Sequence, residues 1–303
     1  MNRSACLIFN PVAGQNDPEI DLQNIDVLLS PEFDLDIKLT TPGVNADRLA
    51  QEAIEKGAEC IIVSGGDGTV SAAAAAVVGT DIPLGIIPRG TANAFALALE
   101  IPTTLEAASL TILEGKTHLV DTALCQKKPM VLLLGIGWEA DTIESTSREA
   151  KDNLGSLAYF IYGVRKLWEF KTFEAKIETD DEKFTVNAAA ITIANAAPPT
   201  SLLAQGPAGI IYDDGMLDVT IVAPQNRSGA ISASYHLLKT SLQGSAVERD
   251  DLSYFRTKYL KIATDPEQKI VLDGEITGNT PLEINCLPHS LKVFLPTKNS
   301  GSS

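Results

Sequence analysis

In the first part of the chain, short apolar runs alternate with amphipathic stretches. Ala5 to Phe9, Ile61 to Val63 and Leu84 to Ile87 are compact apolar runs with β-branched residues, the pattern of strands buried on both faces. Phe33, Leu35, Ile37 and Leu39 alternate with polar residues and predict a strand with one covered face. Between these runs the period changes. Helices are predicted over Ile20 to Leu29, from an Asn45 N-cap to Lys56 with Gly57 as the stop, over the alanine-rich Val70 to Val78, and from Asn93 through Leu99. A further helix runs from Thr104 to Glu114 and stops at Gly115. Strands alternating with helices imply a doubly wound α/β domain with a mostly parallel sheet.

Beyond Val120-Asp121 the texture changes. Met130 to Ile136, Phe173 to Thr179, Ala188 to Ala194, Met216 to Val222, Tyr259 to Ala263 and Lys269 to Leu272 read as strands with few helices between them. The helical exceptions are Leu154 to Trp168 and Arg227 to Thr240. The pattern predicts a mostly antiparallel β-sandwich as a second domain. Two strand-like segments, Leu282 to Cys286 and Leu291 to Leu295, close the chain. The expected division is 1–123 with 288–303 for the first domain and 124–287 for the second.

Composition narrows the partners. The 303 residues carry a formal net charge of -15, so the chain lacks the basic excess that neutralises nucleic-acid phosphates. The same balance argues against tight electrostatic docking on anionic membranes. Cys6, Cys60, Cys125 and Cys286 are far apart and form no CxxC, which reads as reduced thiols of a cytoplasmic protein. The N-terminus enters its first strand at once, so no signal peptide is expected.

The chemistry concentrates where strands end. Ile61 to Val63 run into Ser64-Gly65-Gly66-Asp67-Gly68-Thr69-Val70-Ser71 and then a helix. Strand, glycine turn and helix N-terminus form a cradle for phosphate, because glycines allow close approach and the first-turn amides favour negative charge. Asp67 meets a phosphate only through a cation, which suggests the Mg²⁺ of a bound nucleotide. Asn10-Pro11-Val12-Ala13-Gly14 follows the first strand, and Pro88-Arg89-Gly90-Thr91-Ala92-Asn93 follows another. In an open parallel sheet all three loops fall at the carboxyl edge, where ligands bind.

Asn10-Pro11 with Gly14, Gly65-Gly66-Asp67-Gly68-Thr69, Pro88 with Gly90-Thr91-Ala92-Asn93, Asp214-Gly215-Met216-Leu217-Asp218-Val219 and Asp273-Gly274-Glu275 occur in one order. In that order the chain resembles the lipid kinases of the diacylglycerol kinase catalytic-domain family, with the bacterial YegS-like members nearest in layout. Sphingosine kinases, NAD kinases and phosphofructokinases share the GGDG loop more distantly. The resemblance implies an NAD kinase/phosphofructokinase-like first domain, a cleft holding ATP, and a last strand that returns to the first domain. It puts ATP contacts on Asn10 to Gly14, Thr40, Gly65 to Ser71 and Thr91, with Asp67 and Asp121 helping to order Mg²⁺. It puts a structural Mg²⁺ or Ca²⁺ on Asp214 and the carbonyls of Ile211 and Met216. The implied reaction passes the γ-phosphoryl group of ATP to the hydroxyl of a neutral lipid, diacylglycerol by default, at the inner face of the membrane. The family's Asp after the Asn of the GTxN loop is replaced here by Ala94.

A hydroxyl acceptor needs a base. His118, His236 and His289 lie in none of these loops, so the base is a carboxylate. Asp273-Gly274-Glu275 is the best placed: Glu275 is the expected proton acceptor, with Asp273 orienting it or the hydroxyl. Alone, an Asp-Gly dipeptide reads rather as a turn, and it is the resemblance that favours the catalytic reading; in an extended strand the two acids would share a face. Leu154 to Trp168 is aromatic, and Arg148 to Lys176 holds six basic and four acidic residues, so this segment either touches a bilayer or packs on the second domain. An NAD kinase-like small-molecule kinase and a non-catalytic nucleotide-responsive lipid-binding protein are the alternatives.

Overall fold

The structure is a computed structural model that describes residues 2–137, 172–199, 201, 204, 209–224 and 252–297. The helices expected over Leu154 to Trp168 and Arg227 to Thr240 lie outside the described residues. The chain forms two compact units, 1–121 with 289–303, and 122–288.

In the first unit, strands β1 (Arg3–Phe9), β2 (Phe33–Leu39), β3 (Cys60–Gly65) and β4 (Leu84–Pro88) form a parallel sheet in the order β2-β1-β3-β4. The end of β16 (Leu282–Phe294) joins it in parallel, with Val293 opposite Leu84. β1, β3 and β4 read as unbroken apolar runs because they are covered on both faces: Leu7, Ile8, Ile61, Ile62, Leu84 and Ile87 are fully buried. Helices α1 (Pro18–Leu29) and α5 (Leu105–Leu113) pack together, as do α2 (Ala46–Glu55) and α3 (Asp67–Val77). Right-handed crossovers put these two pairs on opposite faces of the sheet. The strand order reverses direction between β1 and β3, so the ligand-binding crevice of this topology opens there.

In the second unit, a hydrophobic core lies between two antiparallel sheets. One joins β8 (Phe173–Thr179), β9 (Lys183–Ala188), β13 (Tyr259–Asp265) and the first half of β16. The other runs β12 (Leu252–Thr257), β11 (Leu217–Val222), β10 (Ala190–Ala194), β7 (Leu133–Gly137), β14 (Lys269–Leu272) and β15 (Glu275–Asn279). Phe173, Ile177, Leu260 and Ile284 from the first sheet meet Ile136, Ile193, Val219 and Ile270 from the second. The sandwich expected from the alternating pattern is what forms.

Three departures from the sequence reading are informative. Leu282 to Phe294 is one strand with a kink at Pro288-His289, where His289 has a positive φ, and not two segments. The chain passes between units there and in β5 (Thr117–Cys125), an element whose polar start hid it. Met130 to Ile136 is two strands: β6 (Lys128–Met130) pairs with β5, β7 joins the other sheet, and Val131-Leu132 breaks the ladder. The amides freed by that break find a side-chain partner described below.

Candidate functional site

At the carboxyl edge of the parallel sheet, the loops expected to hold a nucleotide meet through specific contacts. The Asn10 side chain crosses the β1–β3 switch point and donates from Nδ2 to Thr69 Oγ1 at 2.8 Å. Its Oδ1 accepts the Val12 amide at 3.1 Å, which closes the Asn10 to Gly14 turn. Gly14 takes φ +91°, where a side chain is strained, and a Cβ would stand 3.3 Å from the Arg89 carbonyl oxygen. Thr40 extends β2 by donating its amide to the Phe9 carbonyl at 3.0 Å, so it reaches the same edge.

The glycine loop is tighter than its sequence suggests. The helix begins at Asp67 rather than Val70, with Gly66 as N-cap, so Gly68 and Thr69 form its first turn. Packing against β3 and the charge of Asp67 beside the first-turn amides outweigh the poor helix propensity of glycine. No side chain caps this helix, so its first-turn amides point outward toward a prospective anion. A Cβ on Gly65 would lie 2.8 Å from Thr69 Cβ. A Cβ on Gly66 would lie 3.3 Å from Gly90 Cα, and one on Gly90 only 2.7 Å from Gly66 Cα. The two glycine loops therefore touch backbone to backbone. Nothing among the described residues stands within 4 Å of a Cβ on Gly68, which leaves that side of the cradle open. Asn93, left-handed at φ 49°, ties its own loop by exchanging hydrogen bonds with Gly90 at 2.7 and 2.9 Å. Thr91 is exposed on that loop, and Val70 and Ser71 lie buried in the helix behind the cradle.

Arg89 is the organising residue that sequence reasoning passed over. Its guanidinium is buried, pairs with Asp21 of α1 at 2.8 Å, donates to the Asn10 carbonyl at 3.0 Å and stacks on Phe9 at 4.3 Å. It thereby ties the loop after β4 to the turn after β1. Asp21 sits in the apolar stripe of α1 with Ile25 and Leu29, four residues apart, and a carboxylate in such a stripe was the available signal.

Asp67 Oδ1 lies 3.4 Å from the Phe95 amide at the start of the short helix α4 (Ala94–Ala98). Burial holds its carboxyl above the ordinary carboxylate range, against the pull of the amides of Phe95, Ala94 and Asn93. A nearby cation would reverse that shift, so this carboxylate suits a metal-bearing ligand. Asp121 is buried, and its Oδ1 accepts the His289 amide at 2.7 Å where the chain re-enters the unit.

In the second unit, Asp273-Gly274 is the two-residue turn of the β14–β15 hairpin. Both residues have positive φ, 47° and 88°, the pattern of a type I′ turn. The extended geometry that would put Asp273 and Glu275 on one face is therefore not adopted. The Asp273 carboxylate accepts the amides of Val131, Leu132 and Leu133 at 2.9, 2.9 and 3.0 Å, the two residues of the strand break and the first of β7. Its own amide donates to the Leu133 carbonyl at 2.9 Å. Glu275 begins β15 with its side chain exposed.

The residues expected to hold a cation lie in and beside the turn before β11. Asp214 Oδ1 accepts the Met216 amide at 3.1 Å, and Ile211 is 39% exposed.

Comparison with known proteins accounts for both units. The diacylglycerol kinase catalytic domain matches residues 4–125, and the YegS C-terminal NAD kinase beta sandwich-like domain matches 134–295. An uncharacterized protein of Synechocystis, sll0036, is 47% identical over 97% of this chain and 70% of its own length. A protein of Xanthomonas oryzae named "Probable lipid kinase YegS-like" is 31% identical over 96% of this chain and 95% of its own. Two crystal structures from Bacillus anthracis share the fold. One superposes with TM-score 0.81 at 26% identity over 97% of this chain and 98% of that one. A second, described as a diacylglycerol kinase, gives 0.74 at 24% identity over 97% of each. With both family domains spanning the loops and turns just described, the chain belongs to the diacylglycerol kinase catalytic-domain family, in its two-domain YegS-like branch.

Proposed function

We propose that this protein is an ATP-dependent lipid kinase that transfers the γ-phosphoryl group of ATP to the hydroxyl of a neutral lipid, diacylglycerol by default, giving phosphatidic acid. The observation that carries the nucleotide part is the cradle at the β1–β3 switch point: uncapped first-turn amides of α3, glycines pressed backbone to backbone, and an Asn10–Thr69 bridge. A phosphate chain fits where side chains are excluded. Asn10 to Gly14, Thr40, Gly65 to Ser71 and Thr91 would hold the nucleotide, and Asp67 would help to hold the Mg²⁺ that ATP carries. When bound, that ion neutralises charge on the transferred phosphoryl group.

Glu275 is the proposed proton acceptor. It is the acid of the Asp273-Gly274-Glu275 segment whose carboxylate is not spent on the backbone, and its side chain is exposed. Asp273 acts through the fold, pinning the turn that presents Glu275. The acceptor is met at the membrane surface, from the cytoplasmic side. No described helix is long and apolar enough to cross a bilayer, so the contact proposed is peripheral.

The test is transfer of labelled γ-phosphate from ATP to a panel of diacylglycerol, monoacylglycerol, ceramide, sphingosine and phosphatidylglycerol in mixed micelles, with NAD alongside. Labelled phosphatidic acid is the expected product. Label on NAD instead, or tight ATP binding with label on no lipid, overturns the reading.

A further inference from the structure

Arg89 follows β4 directly and reaches every loop of the cradle from one position. Its backbone amide donates to the Gly65 carbonyl at 2.8 Å, which ties it to the loop after β3. Its side chain turns the other way, toward the loop after β1. Nε donates to Asp21 Oδ2 at 2.8 Å and Nη1 to the Asn10 carbonyl at 3.0 Å. A guanidinium is a rigid planar fork, so two such bonds and the stack on Phe9 fix its orientation. Nη2 is buried and meets no hydrogen-bond partner among the described residues. It lies against Gly14, where a Cβ would stand 3.4 Å from it and 3.3 Å from the Arg89 carbonyl oxygen. Asn10 is thereby gripped along its length: its amide donates to Ser64, its carbonyl accepts from Arg89, and its side chain donates to Thr69.

The side chains of Arg89 and Asp21 are only 4% and 8% exposed. Apolar residues of similar volume often replace such a pair with no loss of stability, and a buried N–H group without a partner adds a cost. Stability alone therefore does not account for the pair. Its product is position. We propose that Arg89, anchored on Asp21, is a positioning residue for the nucleotide: it sets the Asn10 to Gly14 turn against the glycine loop before the nucleotide arrives. The guanidinium is closed off from solvent, so it acts through the turn and not by touching phosphate. Ordering that turn in advance removes an entropic cost from binding. The inference rests on the nucleotide reading of the cradle.

The experiment removes both charges together, in the double variant Asp21→Leu with Arg89→Met, and compares it with wild type and Arg89→Lys. Melting temperature, calorimetric binding of MgATP well below the melting range, and KM and kcat for labelled-phosphate transfer are read for each. The double variant should melt close to wild type, because no buried charge is left unpaired. It should bind MgATP on the order of 10-fold more weakly, the equivalent of one lost charge-assisted hydrogen bond. The loss should appear in KM for ATP rather than in kcat. Arg89→Lys keeps a charge beside Asp21, but a single ammonium lacks the fork that also holds Asn10, so it should weaken MgATP binding as well. A double variant that melts like wild type and binds MgATP as tightly overturns the proposal, as does a fall in kcat with KM unchanged. If the double variant does not fold, Arg89→Lys decides, and wild-type affinity there overturns the proposal. Wild type that binds no MgATP defeats the nucleotide reading itself, which keeps the two failures distinct.

Discussion

Asp67-Gly68 in the first unit and Asp273-Gly274 in the second are the same dipeptide at the end of a buried strand, and they are wired differently. Asp67 opens a helix at Gly66, and its carboxylate meets the amides of Phe95, at 3.4 Å, Ala94 and Asn93, against which burial still prevails. Asp273 closes a hairpin and takes three backbone amides within 3.0 Å. One acid is held where burial outweighs its amide contacts, a state that a nearby cation would relieve. The other is saturated by its own chain, a state that gives rigidity. A carboxylate's role here follows from how many of its acceptor sites the fold has already filled.

Four substitutions test that contrast. Glu275→Gln should have the largest effect, a fall in turnover of about 10²- to 10⁴-fold with ATP affinity and melting temperature unchanged. Steady-state rates beside a binding isotherm would show it, and normal turnover would remove Glu275 from the chemistry. Gly66→Ala forces a Cβ to within 3.3 Å of Gly90 Cα and into the cradle. Overpacking of about 1–3 kcal/mol translates to ATP binding weaker by on the order of 10- to 100-fold, read by calorimetry. Asp273→Asn leaves one oxygen for three amides. A loss of about 1.5–3 kcal/mol should appear in denaturant unfolding, since these are hydrogen bonds to a charged acceptor. Asp67→Asn should show no such loss, and equal destabilisation by the two would erase the distinction.

The smallest effect concerns pH. Burial raises the Asp218 carboxyl to about 6, with the Tyr254 hydroxyl pulling the other way. The folded state therefore holds a proton that the unfolded chain has released above its ordinary pKa of about 4. Stability should fall as pH rises from about 4 to about 6 and level off above, by linkage. Melting curves of Asp218→Asn should lack this slope. An unchanged slope would assign it to another group.

The fold was legible because its signals are periodic. Buried parallel strands show as apolar runs, sandwich strands as alternation, and Gly57 and Gly115 end helices with positive φ as expected. The phosphate edge was legible because glycine, asparagine and threonine cluster at three strand ends. What stayed hidden depends on pairings distant in sequence. No local pattern says that Asp273 will fill the amides of Val131 to Leu133, that Arg89 will bury against Asp21, or that Arg256 will face Asp218. Each needs the register of strands or loops far apart along the chain. The strand break at Val131-Leu132 follows from such a contact, so an unbroken run was the natural reading of Met130 to Ile136.

The central claim is that nucleotide binding resides in the first unit's cradle and proton removal in Glu275 of the second. The most direct measurement takes wild type, Gly66→Ala and Glu275→Gln through ATP binding and labelled-phosphate transfer to diacylglycerol, side by side. The account predicts a clean split: Gly66→Ala loses affinity for ATP, and Glu275→Gln binds ATP as wild type does but transfers little phosphate. If Gly66→Ala binds ATP normally, or Glu275→Gln transfers phosphate at the wild-type rate, the account is contradicted.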